Sequence, residues 1–161
     1  MLEPTLIETL DAIKTSLLQV VVNVPFQDTE IDEEFFNLHS NKLRKEGRVH
    51  FYNFSVQPIE ETESNQRGRY VAIFDIEVHA FYERRSAEEH SKTFRDLLTE
   101  LEQVRDNFRQ NSTIFGAPER FQESVRTAQL TKIPELAQLG DVTGWHGVIS
   151  LRIESVEVKE I

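Results

Sequence analysis

Five histidines and a few strand carboxylates are the residues whose types could do chemistry in this chain. His39, His50, His79, His90 and His146 contain no pair at the i, i+2 or i, i+4 spacing that sets two imidazoles on one metal ion. Only tertiary contact could join His50, His79 and His146, all three on predicted strands; solvent-facing or interface histidines are the ordinary reading. Asp75 and Glu77 share one strand face and could form a general acid and base. Strands carry charges on their wet face as a matter of course, however, and no nucleophile motif or third group lies in reach. The run from Asp28 to Glu34 starts like a calcium loop, but Glu33 stands where the loop needs glycine and His39 where it needs glutamate. The 6 glycines are nowhere grouped as hydrolase elbows, Walker loops or dinucleotide fingerprints require. The residues therefore assign no catalytic, cofactor-binding or metal-binding side chain.

The stretch "TGWHGVISLRIESVEV" looks like a compact site, with Trp145 and His146 bracketed by glycines. Its odd positions Trp145, Ile149, Leu151 and Ile153 make one apolar face, and His146, Ser150, Arg152 and Glu154 point the other way. It reads as a closing strand with Trp145, Ile149 and Leu151 as core anchors. His146 faces either solvent or a neighbouring subunit.

These side chains need elements to hold them, and 161 residues suffice for one domain with a hydrophobic core. We read residues 1–161 as that single domain, with an insertion or arm at 27–47. A net charge of -10 argues against a surface that grips nucleic acid, which needs clustered Lys and Arg. The absence of cysteine excludes disulfides and thiolate chemistry. The acidic first residues and the short uncharged run from Thr15 to Phe26 predict neither a secretory signal nor a membrane span.

Leu6, Leu10, Ile13 and Leu17 recur at helical spacing after the capping box Thr5-x-x-Glu8, predicting about five turns that end near Asn23 to Pro25. Arg48 to Gln57 is aromatic and β-branched and stops at Pro58, as a strand does; the polar "EETESNQRG" then reads as a hairpin loop. From Arg69 to Tyr82 every even position is apolar while Asp75, Glu77 and His79 are odd, the pattern of a half-buried strand. Ser86-x-x-Glu89 caps a helix to about Gln110 whose stripe includes the anchors Phe94 and Leu101. Gly116 and Pro118 break the chain, "RFQESVRTAQLTKI" is a third strand, and Leu136 to Gly144 is a loop before the closing strand.

The predicted class is α+β, in the order α-β-β-α-β-β, with a mainly antiparallel sheet and helices packed on one face. The strand from Arg69 to Tyr82 would reach roughly 46 Å, against a diameter of about 40 Å for a compact domain of this size. A long hairpin, Arg48 to Tyr82, should therefore project, and its exposed strand edge calls for a partner.

The element order, the strand "RYVAIFDIEVHAFYERR" running into the helix "SAEEHSKTFRDLLTELEQV", and the closing "GWHGVISLRIESVEV" together resemble the tail-terminator proteins of long-tailed bacteriophages. Related head-tail joining proteins share a similar architecture. The likeness covers about residues 4–20 and 48–158. It implies a non-enzymatic virion subunit of a hexameric ring that caps the tail tube, halts tail polymerisation and meets the head-side connector. Assembly would take place in the host cytoplasm, with DNA passing through the ring unbound and no membrane contact. Tyr52, Phe54, Phe81, Tyr82 and His79 on the hairpin would then line the contact with the next copy, and a ring of acidic subunits would not hold exiting DNA. The alternatives are an adjacent connector ring, a tail-assembly binding module with 27–47 as its arm, and a small metal-dependent hydrolase built on Asp75, Glu77 and a strand histidine.

Overall fold

The computed structural model describes residues 6–57, 60–63, 69–110 and 121–158. The class is α+β. Helix α1 spans Leu6–Leu18 and is followed by strand β1 (Phe26–Gln27), helix α2 (Glu33–His39) with a short 3-10 turn (Ser40–Leu43), and strands β2 (Arg44–Lys45) and β3 (Arg48–Val56). Strands β4 (Glu60–Glu63) and β5 (Arg69–Glu83) lead to helix α3 (His90–Gln110), and β6 (Phe121–Leu139) and β7 (Val142–Val158) close the fold. The sheet has the order β1-β3-β5-β7-β6, with β2 also on β3 and β4 also on β5. Among the described residues only β1 runs parallel to its neighbour. The capping residue Thr5, the strand stop Pro58, residues 64–68 of the expected hairpin loop, and Gly116 and Pro118 lie outside the described residues.

Period-two alternation sets the main core. Phe74, Ile76, Val78 and Ala80 of β5 are buried on the same side as Trp145, Ile149, Leu151 and Ile153 of β7. Leu97, Leu101, Val104 and Phe108 of α3 meet them at helical spacing, and Leu10, Ile13 and Leu17 of α1 complete the layer. Phe94 packs against this cluster from its half-buried margin. Each large side chain sealed here contributes about 1.5–3 kcal/mol. Two glycines let the layers approach. A Cβ on Gly147 would stand 2.5 Å from Leu101 Cδ1, and one on Gly144 would stand 2.5 Å from the Tyr82 carbonyl oxygen.

Five expectations need correction. Helix α1 stops at Leu18 because Val20, Val21 and Val22 are poor helix formers ahead of Pro25; the Leu17 carbonyl accepts from both Val20 and Val21, and Asn23 turns the chain at φ 60. Helices are not confined to one face. The 27–47 segment folds back, and Phe36 of α2 and Leu43 of the 3-10 turn form a second buried cluster with Val49, Phe51 and Phe81 on the opposite face. Asp32 caps α2 by accepting from the Phe35 amide at 2.7 Å, with Glu33 and Glu34 in the first turn. The acidic residues here start a helix.

The sheet also differs at its edges. The 48–82 hairpin is not a free pair, since β7 accompanies β5 from Arg69↔Val158 to Glu83↔Gly144 and β4 adds to its other side within the expected loop. The long strands extend together. The expected loop at Leu136 to Gly144 is strand to Leu139, then the two-residue turn Gly140–Asp141. Gly140 at φ 61 fills the first central position, where a type II′ hairpin requires glycine.

Candidate functional site

The second face of the sheet carries the chain's one histidine pair. Register decides it. His79 of β5 sits opposite Val148 and His146 of β7 sits opposite Phe81, so the two are diagonal neighbours on the side away from α3. His79 Nδ1 lies 2.8 Å from His146 Nε2, and the ring planes differ by only 9°. The ring centroids are 5.0 Å apart, close to the N···N distance plus the two ring radii, so the imidazoles lie head to tail in nearly one plane. This is an in-line hydrogen bond that carries one hydrogen.

The pair opens on a cleft of about 260 Å³. Glu30 and Ile31 form one wall, Ala137, Gln138 and Leu139 another, and Phe51, Asn53 and Phe81 share the floor. Phe51 and Phe81 stack there at 5.5 Å. Behind the pair, the Glu77 carboxylate stands 3.6 Å from His79 Nε2, a buried atom with no hydrogen-bond partner among the described residues. Burial lowers the His79 pKa against the opposing pull of Glu77 and Glu30. Burial, with His79 and Lys132 adding to it, lowers His146 to about 4. Both rings are therefore neutral at neutral pH. The Glu77 charge favours an N–H on His79 Nε2, so His146 Nε2–H donates to His79 Nδ1 and His146 Nδ1 is the free acceptor.

His50 is not part of this group. It faces the other side, with Nε2 2.9 Å from Glu100 Oε2. Its neighbour Tyr52 is fully buried, and burial, with Glu100 nearby, pushes the phenol well up. Among the described residues no group of three His, Asp or Glu side chains could hold a metal ion. Asp75 and Glu77 each have a partner of their own: Asp75 lies 3.5 Å from Arg152 Nε, and Glu77 accepts from Gln57 at 3.4 Å.

The residues assigned to a subunit contact are corrected in part. Tyr52 and Phe54 are buried in the main core and Phe81 in the second cluster, where it shows only on the cleft floor; Tyr82 and His79 are half-buried. The anchors Trp145, Ile149, Leu151 and Leu101 lie in the main core.

Sequence reasoning missed Glu30 as a wall of the histidine cleft and missed the clasp between Arg48 and Glu89. Arg48 Nη1 and Nη2 donate to the two Glu89 carboxylate oxygens at 2.8 and 3.2 Å, while the Arg85 amide donates to the same group. Arg48 first and the Arg85 amide second hold that carboxyl down at about 2. The motif Ser86-x-x-Glu89 was the only signal, and here Glu89 reaches back one residue beyond the usual capping-box amide. No protein-family model matches the chain, and no curated protein matches it. Among the described residues no helix is long and apolar enough to cross a membrane.

Proposed function

We propose that the chain is a structural subunit of a ring, hexameric in the simplest form, that caps a phage tail tube, stops its growth and meets the head-side connector. The observation that carries this reading is the outer edge of β6. This strand of 19 residues pairs with β7 alone among the described residues, and it carries Ile133 and Leu136 at 60% and 48% exposure. A long open edge with apolar side chains is a liability in a lone molecule, and closure of a ring removes it.

Charge supports the same reading. Six copies at -10 each give a ring of about -60, and such a wall would repel passing DNA instead of binding it. Catalysis has less support. The acid and base candidates are occupied by Arg152 and Gln57, and the histidine pair has no nucleophile beside it among the described residues.

Light scattering on the pure chain, followed by electron microscopy of the chain mixed with phage tail tubes, tests the proposal. Rings at one end of tubes that have stopped growing are expected. A monomer at every concentration, together with tubes that stay uncapped and keep lengthening, would overturn it.

A further inference from the structure

Proton counting gives the histidine pair a property that neither residue has alone. In the neutral pair one hydrogen occupies the in-line bond between His79 Nδ1 and His146 Nε2. A first added proton enters at His146 Nδ1, the free acceptor, while the bridging hydrogen moves to His79 Nδ1, so the charge rests on His79 beside Glu77 and the bond stays intact as a charge-assisted one. A second has only one place to go. Two imidazoliums each carry hydrogens on both nitrogens, so N–H would face N–H across 2.8 Å and the bond could not survive.

Groups from every neighbouring element bear on these steps. Glu77 on β5 stands 3.6 Å behind His79 and favours a charge there. Glu30, on the connector ahead of α2, acts in the same direction on His79 from the cleft wall. On β6, Lys132 opposes protonation of both rings, whereas Glu135, the register partner of His146, favours protonation of His146. Lys132 and Glu135 hold each other at 3.1 Å, so much of their effect cancels locally. Glu30 lines the cleft and its charge already favours a cation beside it.

We infer that the His79–His146 pair is a two-proton latch on the cleft: it stays shut with no added proton or one, and the second releases His146 toward Glu30 while the domain remains folded. The released imidazolium enters the space between the Glu30–Ile31 wall and the Ala137–Leu139 wall, so these walls must shift. The main core lies on the opposite face of the sheet and need not respond. This inference does not depend on the ring reading, because it concerns a single chain.

Imidazole-nitrogen and methyl NMR on the full chain, titrated from pH 7.5 to 3.5, tests it. Wild-type protein should show two steps. In the second, the resonance of the shared proton is lost and the Ile31 and Leu139 methyls shift, while those of Leu101 and Ile149 stay in place. In His146→Gln only one step should remain and the Ile31 and Leu139 methyls should not move with it. Independent titration of the two histidines overturns the latch, as does persistence of the methyl shifts in His146→Gln. Simultaneous movement of the Leu101 and Ile149 methyls overturns it too, since that reports global unfolding. If His146→Gln does not fold, the wild-type coincidence of proton loss and wall movement decides alone.

Discussion

Trp145 Nε1 donates to Thr93 Oγ1 at 2.8 Å, which ties the closing strand to the first turn of α3 inside the core. Thr93 in turn donates to the Glu89 carbonyl at 2.8 Å, so its hydroxyl is used in both directions. Thr93→Val should cost about 1–3 kcal/mol, the penalty for a buried indole N–H left without an acceptor. Trp145→Ala should cost about 3–5 kcal/mol through the cavity it leaves. Urea unfolding measures both, and a Thr93→Val midpoint equal to wild type would disprove the bond.

Gly147 is needed for close approach. With the added Cβ at 2.5 Å from Leu101 Cδ1, Gly147→Ala should lose about 1–3 kcal/mol by overpacking. Leu101→Ala should lose about 2–5 kcal/mol on its own. The double variant should be less damaged than the sum, because the new methyl occupies space that Leu101 vacates. Strict additivity in a thermal or urea series would contradict the contact.

Stability should fall in two windows as the solution is acidified. His146 has a folded pKa of about 4 against an ordinary 6.5, so its contribution is whole above 6.5 and is lost as pH falls toward 4. Glu89, at about 2 against 4.5, contributes fully above 4.5 and loses that contribution as pH falls through 2. His146→Gln should flatten the first window and Glu89→Gln the second. At neutral pH Glu89→Gln should cost only about 0.5–1 kcal/mol, the range of partly exposed ion pairs. Equal slopes in wild type and variants would refute the assignments.

Ile133 and Leu136 should matter to assembly and not to folding. Lysine at either position should change unfolding free energy by about 0.5 kcal/mol or less, as surface changes do. Leu136→Lys should leave the chain monomeric beside tail tubes that wild type caps. Light scattering and microscopy of the variant check this, and normal capping would remove β6 from the contact.

Period-two patterns were legible because they are local. The apolar run Phe74, Ile76, Val78 and Ala80 announces its own buried face, and so does Trp145, Ile149 and Leu151. The second core was not. Helix α2 has seven residues, too few for Phe35, Phe36 and Leu38 to declare a period, and it is held by Phe51 and Phe81 from distant strands. Aromatic residues on both faces of the hairpin carry one signal with two causes, cover by another copy or by the chain itself. Here the chain covers itself. The sequence places His79 and His146 each on a polar strand face, but their meeting depends on the pairing Phe81↔His146 between strands far apart in sequence.

Strand β7 is bonded on both flanks, to β5 and β6, along nearly its full length, yet it follows both of them in the chain. A nascent chain that has released β5, α3 and β6 therefore still lacks the strand that joins them. Until Trp145 to Ile153 emerge, the edges of β5 and β6 that β7 joins, and the part of the α3 face that packs on β7, lack their cover. The β5–β7 pairing, unlike the adjacent β6–β7 hairpin, joins strands separated by α3 and β6, and such non-local contacts form slowly. In the interval before β7 docks, the unpaired strand edges are exposed to aggregation.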